Sequence, residues 1–216
     1  MGEIPAQNNM VSSILVFPKH NDVLAVGNTF DIKVQVANLA AGSFTNPQST
    51  YYAAPQELNG GGNIIGHTHV TVQDLGNSLN PTQALDASRF VFFKGINDAG
   101  NNGLLSATVT GGLPAGNYRV CTMSSASNHQ PVLMPVAQRG AQDDCQKFTV
   151  TQGGDAGGGG AANNAADGSG TGATDPAAGG GDAGQVVGGQ DGGNATNTNS
   201  TGKFRGRFHR EKHDNR

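Results

Sequence analysis

Two histidines stand two residues apart in the stretch Gly66-His67-Thr68-His69-Val70-Thr71-Val72-Gln73. Neutral imidazoles are nitrogen donors for Cu or Zn, and a pair of them needs a third group to close a site. The β-branched residues around them predict a strand. On a strand, side chains at i and i+2 leave the same face about 7 Å apart at Cα. Thr68, Val70 and Val72, on the other face, have the composition of a core side, so the histidines are expected to face solvent or a covering loop. The candidates for the third ligand are His129 and Asp74. The plainer alternative is a pair of surface or hydrogen-bonded histidines steadying the long loop before the strand, since His-x-His alone is a weak motif. A histidine-brace oxidase requires a histidine at the mature N-terminus, and the nearest here is His20.

No other grouping supports a reaction. Asp143 and Asp144 are adjacent, so on an extended chain they point to opposite faces and cannot act as a catalytic carboxylate pair. They are expected as solvated groups or turn formers before the last strand. Ser78 and Ser106 lack a Gly-x-Ser-x-Gly elbow. Gly168-Ser169-Gly170 follows no strand and opens no helix, as a phosphate loop would. The chain is therefore expected not to be an enzyme. Cys121 and Cys145, 24 residues apart, are expected to form a disulfide worth about 3 kcal/mol through the unfolded chain. Two inert buried thiols are the alternative.

The elements that must position these residues are strands. Over residues 29–39, Phe30, Ile32, Val34 and Val36 alternate with Asp31, Lys33 and Gln35, the period of a half-buried strand. Residues 11–17, ended by Pro18, suit a strand near a sheet edge. Further strands are expected over 64–75, 90–93, 104–110, 118–123 and 145–151, with one helical turn at 82–85. Residues 40–63, broken by Pro47, Pro55 and a Gly/Asn run, read as a long irregular loop of the kind that is often functional. Short strands, turn signals throughout and almost no helix predict an all-β fold, a single immunoglobulin-like β-sandwich of seven or eight strands.

Composition divides the rest. Residues 1–10 are polar and expected to be flexible, and the sandwich spans 11–151. Residues 152–202 form a Gly/Ala/Asn-rich tract whose scarcity of apolar side chains predicts a disordered linker. Residues 203–216 are a basic tip in which Lys203, Arg205, Arg207 and Arg210 interleave with Phe204 and Phe208, a pattern suited to a polyanion such as RNA or an acidic polysaccharide. Asn194 and Asn199 head weak glycosylation sequons. The residues before 151 carry seven Lys/Arg and nine Asp/Glu, and this near-neutral balance argues against nucleic acid as a partner of the folded part. No apolar run reaches the roughly 18 residues of a membrane span. The first residues show no basic and apolar leader, so no signal peptide is visible.

At Gly66-His67-Thr68-His69-Val70, at 112–122 (Gly-Leu-Pro-Ala-Gly-Asn-Tyr-Arg-Val-Cys-Thr) and at Asn128-His129-Gln130-Pro131-Val132, the chain resembles a family of uncharacterised secreted proteins from filamentous fungi, chiefly mushroom-forming species. The resemblance runs from about residue 8 to residue 150, and some members carry a ribosomal-protein label that a near-neutral β-domain does not support. The same order of segments is loosely similar to small bacterial periplasmic domains with clustered histidines, which draws His67, His69 and His129 toward one site. The resemblance implies a secreted, extracellular protein whose leader has been truncated or processed, and it implies no activity. The expected function is a non-enzymatic binding or structural module at the fungal cell surface or wall, with a wall polysaccharide or a surface protein as partner. The alternatives are a Cu or Zn binding domain using the histidines, and a polyanion or RNA binder using the basic tip.

Overall fold

The computed structural model describes residues 2–153 and 185–186. The elements, in chain order, are β1 (Ser12–Phe17), β2 (Val23–Ala25), β3 (Phe30–Ala37), β4 (Leu39–Ala41), α1 (Pro47–Thr50), β5 (Ile64–Asp74), β6 (Phe92–Ile96), β7 (Leu104–Val109), β8 (Gly116–Ala126), β9 (Cys145–Thr151) and β10 (Gln185–Val186). The protein is predominantly β, as the alternation predicted. In β3, Ile32, Val34 and Val36 are buried while Lys33 and Gln35 turn outward.

The strands form two sheets. One is antiparallel in the order β1-β3-β7, which puts the Pro18-terminated β1 at its edge. The other runs β10-β6-β5-β8-β9-β2, with β4 beside the start of β5. Two of its pairings, β2 with β9 and β4 with β5, are parallel. Leu15, Val34, Leu105 and Val109 of the first sheet share one core with Val70, Phe92, Val120 and Phe148 of the second. Full burial of each such side chain stabilises the fold by about 1.5–3 kcal/mol, enough together to hold β5 and β8 in fixed register.

Three expectations are corrected. Nine strands lie between residues 11 and 151 rather than seven or eight, because β2 and β4 are three residues each, too short for a period to register. The helical turn expected at 82–85 is absent; nearby, Asp86 instead organises a turn by accepting hydrogen bonds from the Ser88 N–H and hydroxyl. The one turn of α-helix among the described residues, α1, lies in the segment expected to be irregular, with Asn46 capping it and Pro47 at its start. Residues 2–10 make hydrogen bonds to the domain: Glu3 N–H donates to the Gln56 carbonyl, Gln56 Nε2 donates back to the Glu3 carbonyl, and Asn38 Nδ2 donates to the Met10 carbonyl.

Most of the expected linker (152–202), including Asn194 and Asn199, and all of the basic tip, with Lys203, Arg205, Arg207 and Arg210, lie outside the described residues. Within that span Gln185 and Val186 pair with Phe93 and Phe92 on β6. Among the described residues no helix is long and apolar enough to cross a membrane.

Candidate metal centre

β5 carries His67 and His69, and neither of its faces is left to solvent. Residues 42–55 strap back over the histidine side. Ser43 N–H donates to the Gly66 carbonyl at 3.0 Å, Thr45 N–H to the Ser127 carbonyl at 2.8 Å, and Tyr52 N–H to the Asn128 carbonyl at 3.0 Å. The Asn128 side-chain amide donates to the Ala54 carbonyl. Under this strap His67 has no exposed surface and His69 retains 9%. Of the two surroundings expected for the histidines, the structure has the covering loop.

Two glycines make the room. Gly66 pairs with Ala126 of β8, and a Cβ there would run into the Ser125 carbonyl oxygen, so only glycine lets the strands close just before His67. Gly95 lies opposite His69 in the β5–β6 register, and a Cβ there would come within 3.4 Å of the His69 ring.

His129 arrives from the turn after β8, closed by His129 N–H donating to the Ala126 carbonyl at 3.0 Å. Its φ is +71°, in the left-handed region that costs a residue with a Cβ about 1–2 kcal/mol. Strain of this kind collects at sites where a side chain must be aimed.

The three rings converge. His67 Nε2 lies 3.1 Å from His69 Nε2 and 3.1 Å from His129 Nδ1. The other nitrogen of each ring meets a main-chain oxygen. His67 Nδ1 donates to the Ser43 carbonyl at 3.1 Å, His69 Nδ1 to the Met123 carbonyl at 3.2 Å, and His129 Nε2 to the Thr45 carbonyl at 2.7 Å. A carbonyl only accepts, so these contacts assign each ring N–H to the outer nitrogen. The inner nitrogens then all present lone pairs, with no proton among them to share. Three lone pairs aimed at one another repel unless a cation sits between them. The outer bonds are the ones that fix tautomer and ring orientation in metal-ligating histidines.

The spacing fits a first-row metal. With metal–nitrogen bonds of about 2.0–2.1 Å, ligand atoms at tetrahedral or right angles sit roughly 2.9–3.4 Å apart. The His67–His69 and His67–His129 separations of 3.1 Å fall in that window, and all three donor atoms lie within 4.8 Å of one another. Burial holds the His67 and His69 rings neutral, as ligation requires. It pushes the His67 pKa down to about 3, helped by the neighbouring His69 and His129. It pushes His69 down to about 4, against the favourable Met123 carbonyl.

Asp74, the alternative third ligand, ends β5 and accepts the Gly76 N–H in a tight turn, outside the cluster. Asp143 and Asp144, expected as solvated groups or turn formers, are half-buried just before β9 and hydrogen-bonded to neighbouring strands. Asp143 Oδ1 accepts from Ser124 N–H at 2.8 Å and from the Thr122 hydroxyl at 3.1 Å, and burial raises its pKa. Asp144 Oδ2 accepts the Leu15 N–H at 2.8 Å and so links the two sheets. Their side chains do take different partners, as adjacency implied. Cys121 and Cys145 are bonded, S–S 2.03 Å, directly opposite each other in the β8–β9 ladder, and the loop they close carries His129 and Asp143. The carbonyls of Ser43, Thr45 and Met123 escape sequence reasoning, because every residue has one.

Comparison with known proteins adds the following. The family described as CLU5d N-terminal domain matches residues 13–151, a span that includes the three histidines and both cysteines. "Pathogenicity cluster 5 protein d" of Colletotrichum graminicola (strain M1.001 / M2 / FGSC 10212) is 70% identical over 151 residues, 69% of this chain and 32% of that protein. The chain thus spans about a third of that relative's length. The relative is fungal, as the resemblance implied. No solved structure matches.

Proposed function

The chain belongs to the CLU5d N-terminal domain family, and from that premise we propose that its β-domain is a metal-binding module in which His67, His69 and His129 hold one Cu or Zn ion. One observation carries this: three ring nitrogens converge, His67 Nε2 standing 3.1 Å from each of the other two and all three lying within 4.8 Å of one another, while each ring's other nitrogen is committed to a carbonyl. A neutral, hydrogen-bonded histidine trio without a metal would leave at least one of these five contacts, inner or outer, as lone pair against lone pair. The test is titration of the oxidised full chain with Cu(II) and Zn(II), beside a His67→Ala, His69→Ala double variant. Wild type should bind one equivalent, with nitrogen hyperfine coupling in the Cu(II) spectrum, and the double variant should not. Equal affinities would dismiss the centre.

A second reading concerns place. The module acts outside the fungal cell, at the wall or at a surface it meets, with the basic residues Lys203–Arg210 reaching a polyanion. The Cys121–Cys145 bridge supports it, since disulfides persist in oxidising compartments. So does the relative's name, which places that fungal protein in a pathogenicity cluster. Recovery of the oxidised protein from culture medium, and retention on wall fractions that weakens when residues 203–216 are deleted, are the expected results. Protein confined to the cytosol with free thiols contradicts it.

We also infer an immunoglobulin-like sandwich. Strand order supports it: the first, third and seventh strands form one sheet, and β2 pairs parallel with the last long strand, β9. At the start of β8 the Tyr118 hydroxyl donates to the Pro114 carbonyl at 2.9 Å, the geometry of a tyrosine corner. Val120 occupies the position, two residues on, where antibody domains place an inter-sheet cysteine. A high-resolution experimental structure with a different strand order would overturn it.

A further inference from the structure

Resting on the metal reading, a ligand class follows from what surrounds the centre. His67 is closed off, but His69 and His129 also line a half-open cavity of about 550 Å³, within the range of small-molecule sites. Aromatic rings line it beside both histidines. Tyr51 stacks along His129 with centroids 6.0 Å apart, and Phe93 lies 5.2 Å from His69. Tyr51 is 57% exposed and stacks on Tyr52, itself 53% exposed, so large apolar surface is held in water beside the centre. Gly95 keeps the wall beside the His69 ring open. The acid on the lining is Asp143, half-buried, whose Oδ1 accepts from the Thr122 hydroxyl and the Ser124 N–H and whose carboxylate also meets the Ser124 side chain.

Three protein nitrogens leave a first-row metal with at least one position to fill. The filling group must come through the cavity, because His67 has no exposed surface. It must also be borne on something flat and apolar enough to pack against Tyr51 and Phe93 on the lining. We propose that the site takes a ring-sized aromatic carrying neighbouring hydroxyls. One oxygen binds the metal as a phenolate, its proton passing to solvent as the metal–oxygen bond forms, and the adjacent hydroxyl donates to the Asp143 carboxylate on the cavity lining. A saccharide also stacks on aromatic rings, but its hydroxyls keep their protons near neutral pH and gain little from the metal.

The experiment loads the oxidised full chain with one equivalent of Zn(II) and titrates 4-nitrocatechol, whose visible absorption moves when a phenolate binds metal. The expected result is a shift that saturates at one equivalent and remains with the protein on filtration. Tyr51→Ala and Phe93→Ala should each weaken it at least tenfold and Asp143→Asn several-fold, with zinc stoichiometry unchanged in all three. 4-Nitroanisole, which lacks ionisable hydroxyls, should not compete. Zinc bound with no shift, a shift that passes through the filter because the probe has stripped the zinc, or equal binding of 4-nitroanisole would each overturn the ligand proposal alone. Tighter binding of an oligosaccharide to the metal-free chain would overturn it too. Failure of wild type to bind zinc, measured separately on dialysed protein, would take the metal reading down with it.

Discussion

Replacing His129 by glycine and by alanine separates what its backbone costs from what its ring does. Both substitutions delete the ring, its hydrogen bond to the Thr45 carbonyl and its stacking on Tyr51. They differ in the main chain. At φ +71° alanine keeps the left-handed strain and glycine does not, a difference of about 1 kcal/mol in favour of glycine. For a domain of this size that corresponds to roughly 2–4 °C in Tm. Metal response should distinguish both from wild type. At a zinc concentration of 100 Kd, wild type gains about 2.7 kcal/mol, or roughly 5–11 °C. A variant with two ligands and an affinity a hundredfold lower gains only about 0.4 kcal/mol at the same concentration, close to 1 °C. The chain has no Trp, so far-ultraviolet circular dichroism is the better probe of unfolding, run in EDTA and in zinc. A full zinc shift in either variant would remove His129 from the ligand set. An alanine variant as stable as the glycine one would refute the strain.

Three further expectations follow. The metal-free domain should lose stability on acidification from pH 7 to 5.5. His67 and His69 have folded pKa values of about 3 and about 4 against an ordinary 6.5, so the unfolded chain takes up protons first, and stability falls over that interval by about 2.5 kcal/mol for the pair. Asp143, raised by burial, acts the opposite way at lower pH, since its destabilising charge is relieved as it protonates. A Tm that stays level from pH 7 to 5.5 in EDTA contradicts the burial of these rings. A Cys121→Ser, Cys145→Ser variant should lose about 3.5 kcal/mol, seen as a denaturant midpoint shift at nearly constant slope. It should keep zinc binding, because the strap's hydrogen bonds hold the His129 turn; a lost site would show that the bridge, not the strap, positions that ring. Gly66→Ala should destabilise the fold by several kcal/mol, since its Cβ meets β8 backbone that cannot move aside; a neutral result would mean the β5–β8 register slips freely.

The residue order determined whatever depends on near neighbours. Alternation in β3 announced a half-buried strand, because side chains on a pleated chain point to alternate sides. The i, i+2 spacing put His67 and His69 on one side of β5 for the same reason, and the Cys pair was legible as a bridge from its chemistry. The immediate neighbours of β2 and β4 carried no such message, as three residues do not make a period. Tertiary structure alone decided the depth of the histidines. Parity says that two side chains share a face, but whether water or protein covers that face depends on what packs there, and residues 42–55 do so through hydrogen bonds from their own main chain. Backbone amides and carbonyls are common to every residue, so the strap and the three carbonyl partners left no mark in residue types. His129 sits 60 residues beyond His69, and only the β5–β8 pairing and a left-handed turn bring its ring to 3.1 Å from His67. Long-range pairing, set by burial of the shared core, turned two histidines on a strand into three around a point.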